Sequence, residues 1–119
     1  MKRIICAVAI ALLQTQLIVA ETAPKSEHVW MMVQHDLADF DAWREVFDSG
    51  LSTRKRAGEI SYEINTHPAF PDAVIAIFAW DTAVGARAFV DDPAIRIAMR
   101  AAGVLSEPIV TILKEPARK

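Results

Sequence analysis

Between Val33 and Asp48 the chain reads VQHDLADFDAWREVFD, so that an apolar strand passes through an acidic turn into a helix with an aromatic face. In the preceding HVWMMVQHD, Val29, Met31 and Val33 fall on one face of the strand, and Trp30 and Met32 fall on the other. A strand that is apolar on both faces has to be covered twice. Asp39 suits the N-cap of the helix, and Asp41 and Glu45 place negative charge near its positive end. Phe40, Trp43, Phe47 and Leu51 recur at spacings of three and four, which defines the buried stripe. Arg54, Lys55 and Arg56 read as its solvated last turn, and Gly58 stops it.

The remaining chain extends this pattern. EISYEINTH predicts a second strand with Ile60, Tyr62 and Ile64 inward, and its one-sided pattern places it near an edge. The two prolines of HPAFPD predict a loop rather than a tight hairpin. AVIAIFAW is a third strand, with Ile75 and Ile77 on one face and Val74, Phe78 and Trp80 on the other, so it belongs at the centre of a sheet. Asp81 is expected to cap a short helix that turns Ala86, Phe89 and Val90 to the core, with Gly85 costing about 1 kcal/mol relative to alanine. Asp92 and Pro93 start another helix, which carries Ile95, Met99 and Ala102 and ends at Gly103. EPIVTILKE supplies the last strand.

Strand, helix, strand, strand, broken helix, strand is the order of an α+β, ferredoxin-like split βαβ with an antiparallel sheet. Helices cover only one face of such a sheet. The other apolar face calls for a second layer, and the simplest supplier is another copy. The expected assembly is therefore a homodimer in which two sheets close a dimeric α+β barrel.

The first twenty residues have the pattern of a secretory leader: Lys2 and Arg3, an apolar run, then Ala20 at a predicted cleavage site. Residues 21–27 then form a flexible mature N-terminus and 28–115 the domain, periplasmic or secreted. The overall 53% hydrophobic content is raised by this leader, whose removal also removes Cys6, the single cysteine. A mature chain without disulfides has to hold together by packing, and at this size that favours an oligomer. Removing Lys2 and Arg3 from 13 basic residues, against 15 acidic ones, leaves the domain mildly acidic. That balance argues against nucleic acid or an anionic membrane surface as partner, and no stable membrane insertion is expected after cleavage.

The segments HDLADFDAWREVFD, FAWD and ARAFVDDPAIRIAMRAAGV are similar to the small dimeric α+β barrel proteins related to the antibiotic biosynthesis monooxygenases, over roughly His28 to Leu113. The resemblance implies the fold and the dimer. Its members include cofactor-free monooxygenases of polyketide quinols, haem-degrading enzymes, muconolactone isomerase-like proteins, stress-response proteins and many without an assigned reaction. The leader departs from the usual cytoplasmic members.

Chemistry has few candidate carriers. His35, at the end of the first strand, is the candidate base, with hydrogen bonding to the turn near Asp36 or Asp39 as its structural alternative. Trp43 and Trp80 are candidate walls of an aromatic pocket, and Tyr62, Asn65, His67 and Arg54 are candidate polar contacts; tryptophans at such helical and strand-end spacing are more often simply core. His28 carries little information, and no two histidines have ligand spacing, so no metal site and no cofactor are expected. Phosphate loops, activated serine or cysteine groupings and paired carboxylates are absent from the sequence, which disfavours hydrolase, nucleotide-binding and thiol chemistry. Two readings stand: a binder of a small apolar or aromatic molecule, with cofactor-independent monooxygenase-like chemistry as its enzymatic form, or a non-catalytic envelope or stress-related scaffold. Haem binding is a third. A cavity lined by His35 and Asn65 would favour the binder, and a space filled by Trp43, Phe47 and Phe78 would favour the scaffold.

Overall fold

The computed structural model describes residues 28–114; the expected leader, the segment 21–27 and residue 115 lie outside them. Four strands, β1 (Val29–Asp36), β2 (Glu59–His67), β3 (Phe70–Trp80) and β4 (Ile109–Lys114), form one sheet in the order β2-β3-β1-β4. Every neighbouring pair is antiparallel. Between them run α1 (Phe40–Ser49), α2 (Leu51–Ala57), α3 (Ala83–Asp91) and α4 (Pro93–Ala101). This is the α+β, ferredoxin-like arrangement, with the doubly apolar β1 and β3 inside and the one-sided β2 at an edge.

Register sorts the side chains by face. Val29, Met31, Val33 and His35 lie opposite Trp80, Phe78, Ala76 and Val74, and all eight are buried on the helix-covered side. Ala86 and Val90 of α3 complete that core, while Trp43 of α1 packs with Leu37, Val74 and Val104 in a second cluster. The opposite face carries Trp30, Met32, Ile75, Ile77, Ile109 and Leu113, and within the described residues no helix covers it. Trp30 is 37% exposed there, Leu113 53% and Ile109 64%.

Caps set the helix limits. The Asp39 carboxylate accepts from the Ala42 amide at 2.8 Å, and Asp92 accepts from Ala94 at 2.9 Å ahead of Pro93. Past α4, Gly103 adopts φ +94°, and the Val104 amide donates back to the Met99 carbonyl at 3.0 Å. The cap of α3 is Thr82, one residue beyond the expected Asp81, with its hydroxyl accepting from Gly85 at 3.0 Å. The first helix divides at Gly50 instead of running unbroken to Gly58.

Two local expectations fail for identifiable reasons. Only Pro68 and Ala69 separate β2 from β3, a tight connection in place of the expected loop. The His67 imidazole accepts from the Ala69 amide at 3.1 Å, and the slack goes into a register shift between Thr66 and His67. At the other end of β2, Glu59 pairs with Trp80 and Ser61 with Ala79, so Ile60 is the extra residue of a β-bulge. The bulge reverses the alternation, turning Glu59 inward and leaving Ile60 53% exposed.

Gly58 joins α2 to that bulge with φ +125°, and its carbonyl accepts from the Asp81 amide at 3.0 Å. A Cβ there would stand 2.7 Å from Trp80 Nε1 and collide with the Asp81 carboxylate. Gly58→Ala is therefore expected to destabilise the fold by about 1–3 kcal/mol, from backbone strain and overpacking together, as measured by urea unfolding.

Candidate functional site

The two helix layers do not close over the sheet. A partly enclosed cavity of about 310 Å³ separates α1 and the start of α2 from α3 and α4, with Met31, Val33, Ala76 and Phe78 as its floor. Trp43, Val46 and Phe47 form one wall, and Ile95, Ala98 and Met99 of α4 form another. The expected core stripe of α4 thus becomes a cavity wall, and α4 contains no buried residue. A larger depression of about 470 Å³ lies among Asp39, Phe40, Asp41, Arg44 and Asp72, but it is polar and holds none of the unpartnered groups described next.

Four polar side chains, His35, Ser49, Thr53 and Arg54, interrupt the apolar lining, and two of them are buried. His35 is 8% exposed, and neither ring nitrogen has a hydrogen-bond partner. Its ring meets Trp43 edge-on at 5.5 Å. Asp36, the next residue, points to the other face of the strand, so the alternative of an imidazole satisfied by the turn is not what the geometry shows. Burial pushes the imidazole below its ordinary value, against a smaller upward pull from the Asp36 carboxylate. A neutral imidazole of this kind presents one N–H and one lone pair.

The second is Arg54, and here the expectation of a solvated helix end is corrected. Arg54 is 5% exposed, with Nε donating to Glu59 Oε2 at 2.5 Å and Nη1 donating to the Phe47 carbonyl at the end of α1. The guanidinium lies 3.7 Å over the Phe47 ring and 5.4 Å from the Tyr62 ring. Its Nη2 has no partner, and neither has Glu59 Oε1. Between the imidazole and the guanidinium, Trp43 and Phe47 stack at 5.0 Å. The wall therefore runs imidazole, two aromatic rings, guanidinium.

Of the residues singled out in the sequence, His35, Trp43 and Arg54 meet at this cavity. Tyr62, Asn65, His67 and Trp80 do not line it. Tyr62 sits edge-on to Phe47 at 5.0 Å, behind the wall. Asn65 pairs with Ile75 on the opposite face of the sheet. His67 is at the far end of β2 against Phe70, and Trp80 is fully buried with Nε1 donating to the Ala57 carbonyl at 3.2 Å. Glu59 was missed because its inward orientation depends on the bulge; an acid just after the Gly58 stop, facing a basic last turn, was the available signal. Among the described residues no cluster of His, Cys, Asp or Glu could hold a metal ion.

No protein-family model matches the sequence, and a search of curated proteins finds no match. Solved structures do match, and they show the fold of the antibiotic biosynthesis monooxygenase-like proteins. SnoaB, a cofactor-independent oxygenase from Streptomyces nogalater, aligns with a TM-score of 0.58 at 13% identity, over 78% of this chain and 96% of its own. A monooxygenase from the ActVA-Orf6 gene of Streptomyces coelicolor, in complex with nanaomycin D, aligns with a TM-score of 0.53 at 12% identity, over 79% and 92%. A Bordetella bronchiseptica protein assigned by name to the antibiotic biosynthesis monooxygenases gives a TM-score of 0.63 at 9% identity, over 76% and 98%.

The buried His35 ties stability to pH. Its folded value lies below the unfolded 6.5, so the unfolded chain binds the proton more readily, and the imidazole's contribution is complete above 6.5 and lost as pH falls. The melting temperature is expected to drop between pH 7 and pH 5, and His35→Leu should reduce that drop, as followed by circular dichroism.

Proposed function

We propose that this chain binds a small, flat, apolar or aromatic molecule in the cavity between sheet and helices, and that His35 is the base if the ligand is turned over. The observation that carries this reading is the unpartnered, buried imidazole in a mainly apolar cavity. A filled space would have favoured a scaffold, but Trp43, Phe47 and Phe78 line a void instead. Asn65 is absent from it, so the polar anchor falls to Arg54. Solved neighbours support the chemistry: one is named a cofactor-independent oxygenase, and another holds nanaomycin D. The corresponding reaction is oxygenation of an electron-rich aromatic that activates oxygen itself once a proton is removed. The cavity would exclude water and His35 would take that proton.

Naphthalene is expected to bind the purified protein in equilibrium dialysis, and Ala98→Trp, which fills the cavity, should abolish the binding. No binding to the wild type, or equal binding to the filled variant, overturns the cavity as the site. For turnover, His35→Ala should lower oxygen consumption with an aromatic hydroquinone by about 100-fold or more while the fold is kept. Unchanged consumption removes His35 from the mechanism.

We further infer a homodimer, exported by its apolar leader and working as a periplasmic or secreted protein. Support for the dimer comes from the uncovered face bearing Trp30, Ile75, Ile77 and Leu113, an apolar surface of the kind that a second copy buries. Sedimentation at micromolar concentration should give a dimer, and Trp30→Asp should give a monomer.

A further inference from the structure

We propose that the Arg54–Glu59 pair makes the cavity selective for neutral ligands that carry a carbonyl or hydroxyl oxygen, and that it turns away the corresponding carboxylates. The inference rests on the cavity being the ligand site.

Arg54 is the one charged residue lining the cavity, and its charge is already matched by Glu59 at 2.5 Å. Two of its nitrogens are committed, to Glu59 and to the Phe47 carbonyl, while Nη2 remains a buried donor without an acceptor. Leaving such a donor unpaired is costly, and Arg54 lines the cavity, so a shift of its guanidinium toward a ligand oxygen recovers a hydrogen bond that the empty protein lacks. A carbonyl oxygen is cheap to dehydrate and takes that bond in full. A carboxylate has to shed far more tightly held water, and it meets a cation that another carboxylate has already neutralised. Glu59 Oε1, also unpartnered, adds like-charge repulsion.

The other end of the cavity agrees. A neutral His35 supplies one donor and one acceptor, with no positive charge to hold an anion. Between the two ends, the stacked Trp43 and Phe47 rings offer a flat apolar wall. The ligand class is thus an uncharged aromatic with an oxygen acceptor at the Arg54 end and a hydroxyl or carbonyl at the His35 end. Glu59, which does not line the cavity, acts as the specificity-determining residue by setting the net charge of Arg54.

Three probes of one shape separate the possibilities: naphthalene, 2-acetylnaphthalene and 2-naphthoate, compared by equilibrium dialysis at pH 7.5, where the naphthoate is ionised. The wild type should bind the ketone at least tenfold more tightly than the naphthoate. In Glu59→Gln, with Arg54 left as an unmatched cation, naphthoate affinity should rise at least tenfold and the preference should reverse. Equal or tighter binding of naphthoate by the wild type overturns the charge selection while leaving the cavity reading intact, as does a folded Glu59→Gln protein that still prefers the ketone. Should Glu59→Gln fail to fold, the wild-type ratio decides. If none of the three probes binds, the cavity is not the ligand site and the inference falls with it.

Discussion

The ion pair between Arg54 and Glu59 holds the end of the first helical layer to the sheet. One guanidinium reaches the Phe47 carbonyl at the close of α1, the carboxylate at the start of β2 and the faces of two aromatic rings. A buried pair of this kind is not by itself a source of stability, because dehydrating both ions offsets much of their attraction. What it supplies is position. Removing one partner would leave the other charged and buried, at a cost of about 3–5 kcal/mol. The β2 bulge follows from the same requirement, since only a reversal of the strand's alternation brings Glu59 beneath Arg54. A carboxylate is buried at the expense of an isoleucine, and that exchange makes sense only with a guanidinium waiting for it.

The cavity is the other side of that arrangement. α1 is fixed at its N-terminus by the Asp39 cap and near its C-terminus by Arg54, while α3 is seated by Ala86 and Val90 against the sheet. α4 is attached differently. Met99 packs against the Leu37, Trp43, Val74 and Val104 cluster, Arg96 Nε donates to the Val90 carbonyl at 2.7 Å, and Arg96 Nη1 meets Glu107 at 2.6 Å, while the rest of the apolar side borders the cavity. The two helical layers touch where α2 meets α3 and leave a gap beside that contact, where a filled core would otherwise form. That gap contains the unpartnered imidazole.

Most of the fold was legible because hydrophobic alternation and capping residues act locally. β1 and β3 were readable as central strands from their two apolar faces, and the limits of α4 from Asp92-Pro93 and Gly103. The failures were places where a distant contact decided a local choice. Ile60 obeys the strand pattern yet is expelled, because Glu59 answers to Arg54. Arg54 obeys the pattern of a solvated helix end yet is buried, because the strand after Gly58 turns back beneath it. Of the site, His35 and Trp43 could be placed from periodicity. Asn65 could not, since the choice between the two sheet faces is fixed by register with β3 and not by composition. The void itself has no sequence signature, because Ile95 and Met99 look the same whether they touch neighbours or face a space.

The bulge at Ile60 also bears on how the sheet meets other chains. β2 is an edge strand, and an edge presents a row of unpaired N–H and C=O groups on which another strand can align. Here the row is interrupted at both ends, by the bulge between Glu59 and Ser61 and by the shift between Thr66 and His67. An incoming strand that kept step with the middle of β2 would fall out of step at either end. This edge therefore discourages the open-ended, strand-by-strand growth that leads to fibrils.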